Sequence, residues 1–196
     1  MGNDMKDVQR NLTTRRTVYT FQDKNVDHLI LENAFISANN APSHKQTNPW
    51  KFYILGVETR NKIIPDVIDL ARKKAESNGV VDFDMAQKRA VSKIIDPPVL
   101  IAVTSKLSPD DSFREEEDYA ASVCALHNAV LYLWDMGVGS QWSTGAITRH
   151  KNTYKAVGIP EDEERIIGFL KAGYPEETTP RKNKKKDISE IRFYLP

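Results

Sequence analysis

The chain has 196 residues, enough to bury one sizeable core, and its 40% hydrophobic and 28% charged content is ordinary for a globular protein. A formal net charge of +1 excludes a global field that would attract nucleic acid or a membrane surface. One cysteine excludes a disulfide framework and a structural zinc site, and no apolar run is long enough to span a bilayer. We expect a cytoplasmic protein with one domain over residues 1–196 and no metal.

In the first half of the chain, apolar residues recur at helical spacing in four segments. A helix over 28–39 would be capped by Asp27, and its apolar face would carry Leu31, Phe35 and Ala38. The short apolar run Phe52–Leu55 predicts a buried strand. The four predicted helices span residues 4–12, 28–39, 59–77 and 83–95.

The second half contains the clearest strand and the clearest helix. The unbroken β-branched run 99–104 predicts a strand that is buried on both faces. Residues 115–136 predict a central helix that packs on several sides or at a subunit interface. We further predict a polar loop over 140–145, a helix over 149–157, a strand over 165–174 and a final strand or helix over 188–194. Interleaved strands and helices predict an α/β or α+β protein whose helices cover a sheet.

A polar loop over residues 41–52 lies between a predicted helix and a predicted strand. Pro42 and Pro49 fix the backbone and favour extended geometry at Ala41 and Asn48. Six consecutive polar side chains, 43–48, lie between the two prolines. Two interpretations stay open: an ordinary helix-to-strand loop with Trp50 in the core, or a rigid loop that presents hydrogen-bonding groups to a ligand.

Other chemistry-bearing residues give weaker signals. The chain has no nucleophile elbow, no P-loop and no dinucleotide-binding fingerprint. We interpret His127 as a core or interface residue of the central helix, and Cys124 on the same helix as a packing residue. The basic run 181–186 has three interpretations: a solvated tail, a nucleic-acid patch, or cations that bind a phosphate together with Arg15 and Arg16.

Four motifs in order resemble the nitroreductase superfamily, in its short single-domain branch. The first is Arg15-Arg16-Thr17 followed by Phe21, and the second is Ala41-Pro42-Ser43 followed by Asn48-Pro49-Trp50-Lys51-Phe52. Trp142-Ser143-Thr144-Gly145 resembles a flavin-contacting loop of that branch. The segment 167–175, with basic residues after it, resembles the C-terminal end of the family. Gln46 and Asn48 depart from the pattern, because the two amides exchange places.

The resemblance implies a fold and an activity. The fold is α+β, a three-layer α/β/α sandwich with a mostly antiparallel central sheet and a long central helix, in a homodimer with FMN at the interface. The activity is that of an FMN-dependent NAD(P)H oxidoreductase, with ping-pong hydride transfer through flavin N5 to a nitroaromatic, a quinone or a related small-molecule acceptor. It implies no dedicated catalytic side chain, no nucleic acid and no membrane. The alternatives are a flavoenzyme of the same fold with different chemistry, such as dehalogenation or flavin oxidation, and a non-enzymatic flavin-binding protein.

The resemblance also implies roles for particular residues. Arg15, Arg16 and Thr17 would hold the FMN phosphate and ribityl chain, while Lys45 would stabilise negative charge near N1 and O2 of the reduced flavin. The phosphate clamp would be completed from the tail by Arg181 and Lys184 or Lys185. The remaining cofactor contacts would come from the loop of the partner chain (Pro42, Ser43, His44 and Asn48) and from a segment that passes the ring (Trp142, Ser143, Thr144 and Gly145).

Overall fold

Helices and strands are interleaved along the chain in the computed structural model, which describes residues 7–176 and 185–196. The helices are α1 (Asp7–Thr14), α2 (His28–Asn39), α3 (Val57–Ser77), α4 (Phe83–Ile95), α5 (Ser112–Asp135) and α6 (Lys151–Val157). The strands are β1 (Trp50–Ile54), β2 (Val99–Lys106), β3 (Gly139–Ser143) and β4 (Glu164–Gly173). No helix in the described ranges combines the length and the apolarity needed to cross a bilayer.

The four strands form one antiparallel sheet in the order β1-β2-β4-β3. Strand β2 is buried along its whole length except at Lys106, as the apolar run predicted. Alternate residues of β2 serve two cores: Ile101 packs with α2 and α5, whereas Leu100 packs with α3, α4 and α6. Helices therefore cover both faces of the sheet, and the predicted α+β three-layer sandwich is confirmed.

The predicted helices form close to their expected limits. The helix over 28–39 has its predicted bounds, and the Leu29 N–H donates to the capping Asp27 carboxylate at 2.8 Å. Helix α5 begins three residues earlier than predicted, because Asp111 caps it by accepting the Arg114 N–H at 2.9 Å. Helix α1 covers Asp7–Thr14, whereas the predicted helix was 4–12; residues 4–6 of that prediction lie outside the described residues.

Two predictions along the chain were wrong. Of the residues 140–145 assigned to a polar loop, 140–143 belong to strand β3, because the backbone of Gly139–Ser143 pairs with β4 from Gly139 opposite Gly173 to Ser143 opposite Phe169. Its polar composition gives no apolar alternation to identify the strand. The tail residues 188–194, expected to form a strand or a helix, contain only a short 3-10 turn at Ile188–Glu190, and their side chains are exposed.

Arg60 ties the end of β1 to the segment that joins α4 to β2. Its side chain is buried, and it donates to the Leu55 carbonyl at 2.8 Å and to the Pro97 carbonyl at 2.7 Å. Longer contacts, each of 3.3 Å, reach the carbonyls of Ile94, Ile95 and Pro98. Burial lowers the pKa of Arg60. Carbonyls at the end of a helix have no partner within the helix, so this guanidinium takes the place of water there.

Glu164 ties three strands together. Its buried carboxylate accepts from Lys51 Nζ at 2.5 Å, from the Tyr53 hydroxyl at 3.0 Å and from the Thr104 hydroxyl at 2.6 Å. Burial acts to raise the pKa of Glu164, but these hydrogen bonds outweigh it and hold that pKa below its ordinary value. The sequence places Glu164 in an acidic cluster with residues 161–163 and gives no sign that it is buried.

Lys171 is a buried cation in the middle of β4. Its side chain is 3% exposed, and Nζ donates to the neutral Gln141 amide oxygen at 3.2 Å. Burial, with a smaller contribution from the charge of Lys93, lowers the pKa of Lys171 to about 8. A buried ammonium whose described partner is neutral destabilises the folded chain.

Replacing Lys171 by Met is expected to raise the free energy of unfolding at pH 7 by about 1–3 kcal/mol, because it removes that buried charge. The gain is expected to shrink from about pH 8 towards pH 10.5, because there the folded wild type has lost a proton that its unfolded chain still binds. Urea denaturation at pH 7 and pH 10 measures both values. Lys155→Met, at an exposed position of α6, serves as the control. A gain that is equal at the two pH values contradicts the assignment.

Candidate functional site

The segment that carries Arg15 and Thr17 lies along the edge of the sheet. The Val18 N–H donates to the Ser140 carbonyl at 3.0 Å, and Thr17 pairs with Ser140 in a parallel bridge. Gly139 permits this approach, because an added Cβ there would overlap the Val18 side chain. The first sequence motif is thereby held against β3, about 120 residues further along the chain.

A cavity of about 270 Å³ lies between this segment, β3 and α5. It brings together three residues that the sequence assigned to one site: Arg15, Thr17 and Trp142. The other lining residues come from β3 and from one face of α5; they are Val123, Leu126, His127, Val130 and Ser140. The cavity therefore has an apolar wall from α5 and an aromatic ring from β3, with polar groups at the N-terminal segment.

His127 is a site residue that the sequence did not reveal. It was expected in the core or at an interface; it is exposed in the chain, so the core assignment is wrong. Although much of the side chain is exposed, partial desolvation of the ring by its neighbours, and then the charge of Arg15, lower the pKa of His127. Helix α1, which precedes Arg15, is joined to α5 by a hydrogen bond in which Asn11 Nδ2 donates to the Leu131 carbonyl at 2.9 Å. The residues that line the cavity include no carboxylate, so it suits an anion.

Arg16, the neighbour of Arg15, is not among the residues that line the cavity. Its Nη1 donates to the Thr13 carbonyl at 2.7 Å and to the Arg15 carbonyl at 2.8 Å. Its Nε is buried and has no hydrogen-bond partner among residues 7–176 and 185–196. A buried guanidinium N–H without an acceptor is unfavourable, and an anion that reaches it would supply one.

Trp142 is fixed at one edge and exposed at the other. Its indole Nε1 donates to the Ile167 carbonyl at 3.2 Å, and the ring lies where a Cβ on residue 168 would be, so Gly168 is required. Residue Trp142 is still 39% exposed. Ser143 ends β3, and Thr144 and Gly145 follow it as exposed residues. These four predicted residues therefore form a continuous surface at the end of β3.

The polar loop has an uncommon backbone. Three residues that are not glycine adopt positive φ: Lys45 at 53°, Gln46 at 54° and Asn48 at 45°. The expectation of extended geometry at Asn48 was therefore wrong; asparagine tolerates the left-handed region better than most residues. Each such residue costs about 1–3 kcal/mol, and such strain concentrates at functional sites. This geometry favours the ligand-presenting loop over the ordinary one.

The polar loop is attached to the N-terminal half of α5. Thr47 donates to the buried Asp118 carboxylate at 2.6 Å, and His44 Nδ1 lies 2.5 Å from Glu117 Oε1. Asp118 precedes His127 by nine residues, which is about 13 Å along a helix. The cavity lining contains no residue of the loop. One chain therefore does not bring the loop residues Pro42, Ser43, His44, Lys45 and Asn48 together with Arg15 and Trp142.

The predicted phosphate clamp from the tail stays a prediction. Arg181 and Lys184 lie outside the described residues, and Lys185 is exposed. Within the described ranges, no group of three or more His, Cys, Asp or Glu side chains is arranged to hold a metal ion.

The model of the nitroreductase family matches residues 12–174, which include the first three motifs and the segment 167–174 of the fourth. This chain belongs to the nitroreductase family. Among family relatives, YfhC of Bacillus subtilis, provisionally named an NAD(P)H nitroreductase, is 26% identical over 174 residues, 88% of this chain and 85% of YfhC. A nitroreductase-like protein from Bacillus cereus is 25% identical, with a TM-score of 0.78 over 100% of this chain and 99% of that one.

The nitroreductase fold also occurs in more distant structures. An iodotyrosine deiodinase solved with FMN and 3-iodo-L-tyrosine is 22% identical, with a TM-score of 0.76 over 96% of this chain and 99% of that chain. At this identity the likeness is one of fold alone.

Replacing Arg15 by Ala is expected to raise the pKa of His127, because the change removes a neighbouring positive charge that opposes protonation. An NMR titration of the His127 ring measures this in the protein without added ligand. Arg10→Ala is the matched control, because Arg10 is exposed on α1 and pairs with Asp7 at 2.8 Å. If the pKa of His127 is the same in Arg15→Ala and in wild type, the Arg15 side chain does not lie close to His127.

Proposed function

We propose that this member of the nitroreductase family is an FMN-dependent NAD(P)H oxidoreductase. The observation that carries the proposal is the cavity in which Arg15, Thr17 and His127 lie beside the partly exposed ring of Trp142. These are the groups needed to bind a molecule with an anionic end and a flat aromatic end. The NAD(P)H in the name of YfhC and the FMN in the deiodinase structure support the choice of donor and cofactor.

The residues present fit FMN. Its phosphate would satisfy the unpartnered Nε of Arg16 and the cation of Arg15, and it would relieve the repulsion between Arg15 and His127. Thr17 supplies a hydroxyl on the same segment, exposed to solvent. The apolar wall of α5 and the Trp142 ring offer the surfaces that an isoalloxazine ring requires. Arg181, Lys184 and Lys185 stay proposed contributors to the phosphate clamp.

Bound FMN would supply the two-electron chemistry, so this chain needs no nucleophile of its own. The residues of this chain would bind the FMN, orient it and shield it from water. The polar loop would present Pro42, His44, Lys45 and Asn48, which are exposed, with Lys45 contributing positive charge near the pyrimidine end of the ring. Donor and acceptor would occupy the same position in turn, which gives ping-pong kinetics with nitroaromatics or quinones.

The proposed enzyme is a homodimer with a site built from two chains. Ala120, Cys124 and His127, spaced by four and three residues, leave one face of α5 exposed. The polar loop and the cavity lie at different heights along this helix. If a second copy packs on the exposed face, the loop of one chain can approach the cavity of the other, as the sequence resemblance implies. The single cysteine supports a cytoplasmic location.

Wild type is expected to take up FMN and to oxidise NADH or NADPH when a nitroaromatic or a quinone is present. Arg15→Ala is expected to weaken FMN binding roughly 10- to 100-fold, the cost of losing a charged hydrogen bond. Fluorescence titration measures the dissociation constant, and Arg10→Ala is the control. A wild type that takes up no FMN overturns the proposal. Bound FMN without NAD(P)H oxidation favours a different chemistry on the same fold.

Replacing Ala120 by Arg is expected to convert the dimer into monomers and to reduce FMN binding, because it places a charge in the centre of the proposed interface. Light scattering after size-exclusion chromatography measures the mass. Glu58→Arg, at an exposed position of α3, is the matched control. An Ala120→Arg variant that stays dimeric with full FMN binding contradicts an interface on this face of α5.

A further inference from the structure

A buried carboxylate of α5 is connected to the backbone of the polar loop by three hydrogen bonds. Asp118 is 2% exposed and accepts from the Thr47 hydroxyl at 2.6 Å. The hydroxyls of Thr47 and Ser43 lie 2.9 Å apart, and the Ser43 oxygen accepts from the Asn48 N–H at 3.0 Å. We call this series, from Asn48 through Ser43 and Thr47 to Asp118, the loop relay.

The loop relay has one direction. A hydroxyl group carries a single proton, and that of Thr47 is donated to Asp118. In the contact between Thr47 and Ser43, Ser43 must therefore be the donor. Its oxygen is left to accept from the Asn48 N–H. Each hydroxyl both donates and accepts, and such a series is stronger than isolated hydrogen bonds.

The loop relay holds the part of the backbone that is under strain. Lys45, Gln46 and Asn48 have positive φ, and Thr47 lies among them. A backbone of this kind persists only where surrounding contacts over-determine it. The relay supplies such contacts by attaching both ends of the 43–48 segment to a helix that spans the sheet.

We propose that Asp118 is a positioning residue that acts through Thr47 and Ser43 to hold Lys45 and Asn48 in place at the flavin. The proposal rests on the proposed function, because the flavin-facing role of the loop comes from there. It limits the role of Ser43: its proton is donated to Thr47, so Ser43 has no proton to donate at the flavin edge, along which the sequence resemblance places it. Lys45 and Asn48, both exposed, are the ligand-facing side chains whose backbone the relay holds.

Thr47→Val tests the relay, because valine keeps the shape of threonine and removes the hydroxyl. Thr47→Ser is the matched variant that keeps the hydroxyl, and Asp118→Ala removes the final acceptor. Amide hydrogen exchange at Asn48, measured by NMR without FMN, reports the relay alone. Exchange is expected to be about tenfold faster in Thr47→Val and Asp118→Ala than in Thr47→Ser and wild type.

The second measurement is made with FMN bound. In Thr47→Val, kcat for NAD(P)H oxidation is expected to fall about tenfold and the visible flavin spectrum to change, with both restored in Thr47→Ser. A wild-type exchange rate at Asn48 in Thr47→Val overturns the relay. Faster exchange with a wild-type kcat and spectrum overturns the positioning role. If wild type itself takes up no FMN, the proposed function and the positioning role fail, whereas exchange at Asn48 still decides the relay.

Discussion

The packing of helix α5 across the sheet is the constraint on which the rest of the structure depends. Its buried residues, among them Ala125, Leu126 and Leu133, join the core formed with α2 and β2. At one end, Glu117 and Asp118 hold the polar loop; further along, Leu126 and His127 line the cavity. The polar loop and the cavity are thus both positioned by helix α5. The exposed face of this helix is available to a second copy of the chain.

The buried charged side chains described here fall into two groups, those whose hydrogen bonds are satisfied and those whose hydrogen bonds are not. Glu164 and Arg60 are satisfied by several hydrogen bonds each, and they fasten strand β1 to its neighbours. Lys171 and Arg16 are less well satisfied. The described partner of Lys171 is a neutral amide, and the buried Nε of Arg16 has no hydrogen-bond partner among the described residues. An incompletely satisfied group costs stability. An anionic ligand could accept a hydrogen bond from Arg16 Nε and so remove this cost. The unsatisfied group is thereby linked to the proposed function.

Local sequence signals predicted the fold well and the site in part. Apolar spacing and the Asp27 cap predicted α2, and an unbroken β-branched run predicted β2. Strand β3 was missed because a short polar edge strand carries no alternating pattern; only its pairing with β4 defines it. Arg15, Thr17 and Trp142 were assigned to one site from the motif order, and they line one cavity. His127 was missed because its role depends on the proximity of Arg15, which is distant in sequence.

By itself, the sequence determined that helices cover a sheet, because helical periodicity and strand patterning are local properties, and its four ordered motifs, by their resemblance, indicated the nitroreductase family and the polar loop as part of its site. Only the tertiary structure decided how the loop is built. Proline spacing suggested extended geometry at Asn48, but Thr47 and Ser43 are held by Asp118, about 70 residues away in sequence, and the backbone turns left-handed. The reason is physical: a strained backbone exists only where contacts distant in sequence fix it.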